Sequence, residues 1–264
     1  MPEVSPGGLS FLRGGEGPAI IFIHGWAMAA TVWERQIGYF SKKGFETVAF
    51  DLRGHGSSVA EGPYSIAQMA YDLKGFIHEM RYDKPFLVGW SMGAMVIIDY
   101  LFTHPHSASG FCLVGGTPKF TSAEEYPHGL NPDDVRGMKV KLKRNFGRCL
   151  SEFRESVAGD LRPEKKGLLM DAALPTLEAS KDGLRELMTV DLRPSLDGIH
   201  LPGLLIHGSE DKVCPTGAAR YMAEKLDLSE LHLIEGAGHV PFLSHEEQFN
   251  KRLEIFIRRN LNLD

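Results

Sequence analysis

Cysteine is scarce in this chain: Cys112, Cys149 and Cys214 are the only three in 264 residues. They form no CxxC pair and are too few for a disulfide framework, which excludes a disulfide scaffold and a cysteine zinc site and makes a reducing cytoplasm the expected compartment. Long apolar runs are absent too, none approaching the roughly 20 residues that span a bilayer. The opening stretch MPEVSPGGLSFLRGG lacks the basic-then-apolar layout of a secretory leader. Net charge is -5, so the whole molecule gives no reason to expect nucleic acid binding. No internal repeat or low-complexity tract is evident. What is present is an ordinary globular composition, 43% hydrophobic and 24% charged, at a length that suits one domain with an insertion. A monomer with no membrane partner is the expectation.

Short apolar runs ending in turn residues recur along the chain: PAIIFIHG (18–25), FETVAFD (45–51), FLVG (86–89), GFCLVGG (110–116), LPGLLIHG (201–208) and ELHLIEG (230–236). Helical patterns separate most of them. One spans Thr31 to Lys43, a second starts at Ser65 with Gln68 completing a capping box, and the last starts at Ser244 with Glu247 as box partner. Such alternation predicts an α/β fold with a mostly parallel sheet and helices on both faces. It stops after Thr117-Pro118. Residues 118–195 read as helices broken by Pro127, Pro132, Pro163 and Pro175, and the alternation resumes at Leu201. The expected organisation is a core of residues 1–117 and 196–264 under a helical cap, 118–195, over the sheet's C-terminal edge, where open α/β sheets place ligands. The cap carries concentrated positive charge, with ten Lys/Arg against four Asp/Glu between Arg136 and Lys166.

Gly89-Trp90-Ser91-Met92-Gly93 lies where an apolar strand pattern gives way to a helical one. A serine at such a turn is forced into a strained conformation that pushes its hydroxyl outward, and the flanking glycines remove side chains that would strike the neighbouring strand and helix. The following helix points its positive end at the turn, so the Met92 N–H can stabilise an oxyanion. A serine nucleophile needs a base and the base needs a carboxylate, each just past a later strand. Asp211 follows LLI (204–206), with Glu210 beside it as an alternative, and His239 follows the last strand pattern. His24, His207 and His55 read as structural, His55 shaping the DLRGHGSS loop. A second oxyanion donor is expected from FIHGWAM (22–28), where Gly25 allows the turn and Trp26 supplies an N–H. The Trp26 indole either walls an acyl pocket or packs in the core.

Together H-G-W, D-x-R-G-H-G-x-S, G-W-S-M-G, the late Asp and G-H-x-P-F resemble the α/β-hydrolase superfamily, over nearly the whole chain. IHGWAMAATVW, GWSMGA, GGTPKFTSAEEYPHGL, MTVDLRPSL and GAGHVPFLSH are similar to the carboxylesterase family of biotin synthesis, which removes the methyl ester from pimeloyl groups held on acyl carrier protein. The resemblance implies an α/β-hydrolase fold, a catalytic triad of Ser91, Asp211 and His239, and an oxyanion hole of Trp26 and Met92. It implies Phe153 as the cap aromatic of the acyl channel, with Val157 beside it, so that substrate contacts fall to Trp26, Ser91, Met92, Phe153, Val157 and His239. It also implies an acidic carrier protein docked on Lys139, Lys143, Arg144, Arg148 and Lys165. Arg148 and Lys165 match the family's basic positions, whereas Glu152 stands where a basic residue is expected. No metal or organic cofactor is implied, because every step is acyl transfer. Two other readings use the same scaffold: a lipolytic esterase, lactonase or carbon–carbon bond hydrolase, and a small-molecule sensor without turnover.

Overall fold

In a computed structural model of the chain, residues 2–159 and 161–263 are described. Eight strands form one sheet: β1 (Glu3–Val4), β2 (Ser10–Gly14), β3 (Ala19–Ile23), β4 (Glu46–Phe50), β5 (Phe86–Trp90), β6 (Gly110–Val114), β7 (Gly203–Gly208) and β8 (Ser229–Ile234). Their spatial order is β1-β2-β4-β3-β5-β6-β7-β8, parallel from β4 to β8, with β1 and β2 antiparallel at one edge. Helices α1 (Glu34–Ser41), α2 (Ile66–Glu79) and α3 (Met92–Thr103) connect the first strands. Then α4 (Pro132–Arg144), α5 (Phe146–Ala158), α6 (Pro163–Met170), α7 (Leu177–Thr189) and α8 (Arg193–Leu196) lie between β6 and β7. The chain finishes with α9 (Thr216–Lys225), α10 (Pro241–Ser244) and α11 (Glu246–Leu261). This is an α/β-hydrolase fold with an inserted helical region, α4–α7.

The central strands are buried on both faces, as a parallel sheet requires. Along β3 the faces alternate: Ile21 and Ile23 join the apolar core of α2 and α3, while Ile20 and Phe22 join that of α1 and α11. Strands β1 and β2 escape the apolar-run reading because β1 is wholly exposed and SFLRG buries only its first half. The 31–43 pattern opens with a 3-10 turn over Ala30–Trp33 before α1 begins.

Two capping expectations need correction. Ser65 does accept from the Gln68 N–H at 3.1 Å, but the Gln68 amide bonds to Asp72, leaving the box half made. Ser244 does not cap α11: its hydroxyl donates back to the carbonyl of Val240, the residue before α10, and His245 stands at the N-cap of α11. None of the four prolines breaks a helix: Pro127 lies in a turn outside the helices, and the others stand at or just before helix starts. Pro132 and Pro163 occupy first turns of α4 and α6, where a missing N–H costs nothing, and Thr176 after Pro175 caps α7. The inserted region also has isolated bridges at Lys119–Asp191, Thr121–Leu130 and Ala123–Tyr126. It is fastened to α2 by Glu186 of α7, which accepts from the Ile66 N–H at 3.0 Å. Among the described residues no helix is long and apolar enough to cross a membrane.

Candidate active site

Ser91 sits between β5 and α3 with φ 56° and ψ -115°, a left-handed conformation that an L-residue adopts at a cost. Both elbow glycines are required by close backbone approach. A Cβ on Gly89 would stand 2.4 Å from the Gly93 carbonyl oxygen, and one on Gly93 would stand 2.4 Å from that of Ile23. The Ser91 N–H is anchored to the Val114 carbonyl at 2.9 Å, and its hydroxyl neighbours the buried Cys214 thiol.

The structure brings Asp211, not Glu210, to His239. Asp211 Oδ2 accepts from His239 Nδ1 at 2.8 Å, and Oδ1 accepts from the backbone N–H groups of Val213 and Cys214. Both side chains are buried. Burial pushes the Asp211 carboxyl up, but His239 and His207 beside it, with the Cys214 N–H, hold it net below its ordinary value. The carboxylate therefore stays ionised and fixes the imidazole, leaving His239 Nε2 buried with no hydrogen-bond partner among the described residues. Ser91 and His239 are not hydrogen-bonded to each other. Trp90, the residue before the serine, donates its indole N–H to the His239 carbonyl at 2.9 Å. His207 donates to the Cys214 carbonyl at 2.7 Å and so braces the turn carrying Asp211.

The 24–28 loop packs on the serine. A Cβ on Gly25 would stand 3.1 Å from Ser91 Cβ, and the Met28 N–H closes a turn onto the Gly25 carbonyl at 3.3 Å. Ala27 in that turn has φ 60°. Among the described residues neither the Trp26 nor the Met92 backbone N–H donates to a protein acceptor. His24 supports the loop, with Nδ1 on the Gly25 carbonyl at 2.8 Å and Nε2 accepting from the Leu52 N–H. Asp51 takes the Ala30 and Ser57 N–H groups, and Arg53 forms two 2.5 Å bonds to Asp72. D-x-R-G-H-G-x-S is thus the brace under the loop. Burial pulls His24 down to about 4 and His55 to about 3.

The inserted region meets this loop at Trp26. Its indole donates to the Ser180 carbonyl of α7 at 3.0 Å and packs edge-on against Phe153 of α5, with ring centroids 4.9 Å apart. Trp26 is thus a buried member of the apolar core, joined to the inserted helices. Val157 and His239 line a groove of about 1240 Å³ between α5–α6 and α10–α11, which Ser91, Trp26, Met92 and Phe153 do not line. Of the basic positions, Lys165 donates to the Leu243 carbonyl at 2.7 Å and pairs with Glu246, and Arg148 pairs with Glu152 at 2.8 Å. Lys139, Lys143 and Arg144 of α4 have no ion pair among the described residues. Arg154, which the sequence reading passed over, is buried with its guanidinium on the Ala27 carbonyl. The signal was available: it falls on the same helical stripe as Leu150, Val157 and Ala158.

The Alpha/beta hydrolase family model matches residues 20–252, and the chain belongs to that family. At 33% identity over 242 residues it is similar to the pimeloyl-[acyl-carrier protein] methyl ester esterase of Nitrosomonas europaea, covering 89% of this chain and 94% of the relative. It is 30% identical to the AB hydrolase superfamily protein YisY of Bacillus subtilis, with 92% of each chain covered. Among solved structures the esterase EaEST from Exiguobacterium antarcticum superposes with a TM-score of 0.88 at 28% identity, over 95% of both chains.

Proposed function

We propose that the chain is a cytoplasmic serine carboxylesterase that hydrolyses the methyl ester of a pimeloyl group carried on acyl carrier protein. One observation carries the esterase reading: a buried Asp211–His239 pair whose Nε2 has no partner among the described residues, in a chain whose β5–α3 turn holds Ser91 in a nucleophile's backbone conformation. In the mechanism, His239 Nε2 takes the Ser91 proton as Oγ attacks the ester carbonyl, and Asp211 stabilises the imidazolium. The Ser91–His239 hydrogen bond forms with substrate bound, since catalytic hydrogen bonds tighten in the Michaelis complex. The Trp26 and Met92 N–H groups receive the developing oxyanion. His239 then protonates departing methanol, and water cleaves the acyl-enzyme by the reverse proton path. Every step is acyl transfer, so the scheme uses no cofactor.

The finer substrate assignment draws on the Nitrosomonas europaea relative and on Lys139, Lys143 and Arg144 of α4, which have no ion pair among the described residues and suit an acidic carrier. Phe153 and Val157, packed beside Trp26 and the groove, supply apolar contact for a methylene chain. Ser91→Ala should abolish hydrolysis of methyl esters; substantial remaining turnover would remove the triad. The triple change of Lys139, Lys143 and Arg144 to Glu should raise KM for the carrier-linked ester about tenfold or more and leave p-nitrophenyl butyrate unchanged. An equal effect on both substrates rejects carrier docking on α4.

A further inference from the structure

Arg154 projects from α5 into the molecule and is only 3% exposed. All five of its hydrogen bonds are to backbone carbonyls: Ala27 (2.8 and 3.2 Å), Met170 (3.2 Å), Ala172 (2.7 Å) and Ala173 (3.2 Å). Every guanidinium N–H is thereby used, as a buried arginine requires. Three of those carbonyls lie at and just past the C-terminal end of α6, whose dipole favours a cation. The fourth belongs to the core, in the turn that packs on Ser91.

That turn needs holding. Ala27 has φ 60°, a left-handed conformation that alanine sustains only where its surroundings impose it. On one side His24 Nδ1 fixes the Gly25 carbonyl at 2.8 Å. On the other, two N–H groups of Arg154 close on the Ala27 carbonyl like a fork. Trp26, with its unpartnered backbone N–H, lies between these two clamps, and its indole is tied to Ser180 of α7. We propose that Arg154 is a positioning residue that locks the Gly25–Met28 turn so that the Trp26 N–H faces the Ser91 oxyanion, making the oxyanion hole complete only when the inserted helices are docked. The guanidinium touches neither ester nor nucleophile; it acts through the Ala27 carbonyl. Lysine offers no planar fork and cannot reproduce a two-bond grip on one carbonyl together with bonds to three others.

The proposal rests on the serine-esterase reading, and the experiment separates the two. Wild type, Arg154→Lys and Arg154→Met are labelled to completion with a fluorophosphonate, and p-nitrophenyl butyrate turnover is expressed per labelled serine, so misfolded chains drop out. In both variants kcat per site should fall about tenfold or more while KM stays within about twofold, because the lost interaction belongs to the transition state. Affinity for a boronic acid, whose tetrahedral adduct occupies the oxyanion hole, should fall by a similar factor. A merely structural arginine would lower the labelled fraction and Tm and leave both quantities alone. Arg154→Lys with per-site turnover and boronate affinity within about twofold of wild type overturns the proposal, whatever Arg154→Met does. Wild type that neither labels nor turns over overturns the esterase reading instead.

Discussion

Gly93 and Gly75 are both helical glycines, yet they obey opposite rules. A Cβ on Gly93 would stand 2.4 Å from the Ile23 carbonyl oxygen and 2.8 Å from that of His24, whereas a Cβ on Gly75 of α2 would meet nothing within 4 Å. Gly93→Ala should therefore cost on the order of 3 kcal/mol or more, by forcing α3 off β3. Gly75→Ala should stabilise by about 0.5–1 kcal/mol through the unfolded chain. Urea denaturation of the pair checks both signs, and similar stabilities would refute the close-approach account of the elbow. At this scale the sequence was informative where chemistry imposes order along the chain. The elbow glycines mark the tight turn that carries Ser91, and strand ends mark the places of Asp211 and His239, which the structure pairs. Arg154 left a fainter trace, a charge on an apolar stripe, because its partners are carbonyls and carbonyls have no residue identity to read.

Helix starts in the inserted region show what local pattern can and cannot specify. Asn131, Asn145 and Thr176 cap α4, α5 and α7 through their own side chains, so those starts are local and legible. The start of α2 is not wholly local: besides Ser65, it uses Glu186 from a helix far along the chain. No sequence window holds both residues, and the same is true of the β1–β2 edge, whose pairing is decided across the sheet. Glu186→Ala should leave the Ile66 N–H unpaired and remove a negative charge from the α2 N-terminus. The expected loss is about 1 kcal/mol, read as a lower denaturation midpoint at unchanged m-value. No shift in midpoint would mean that α7 rests on α2 without supporting it.

For the whole molecule, the buried imidazoles set an acid limit. His24 and His55 lie with ring centroids 5.2 Å apart, and their folded pKa values, about 4 and about 3, lie below the 6.5 of an unfolded histidine. The unfolded chain therefore takes up protons first as pH falls. The contribution of these two histidines is complete above about pH 6.5, declines below it at a slope of about 1.4 kcal/mol per unit for each, and levels off only once pH has passed their folded values. At pH 5 each should cost on the order of 2 kcal/mol, so Tm should drop between pH 7 and 5, and His55→Gln should flatten that drop. A Tm independent of pH over this interval would contradict the burial. The three tryptophans, all buried, add a last consequence. Trp26 is tied to Ser180 and Phe153 of the inserted helices, and Trp90 to the backbone of His239. Because Trp26 is held by Ser180 and Phe153, undocking of the inserted helices would free one native tryptophan from its packing, so the protein's tryptophan emission is a dye-free monitor of that step.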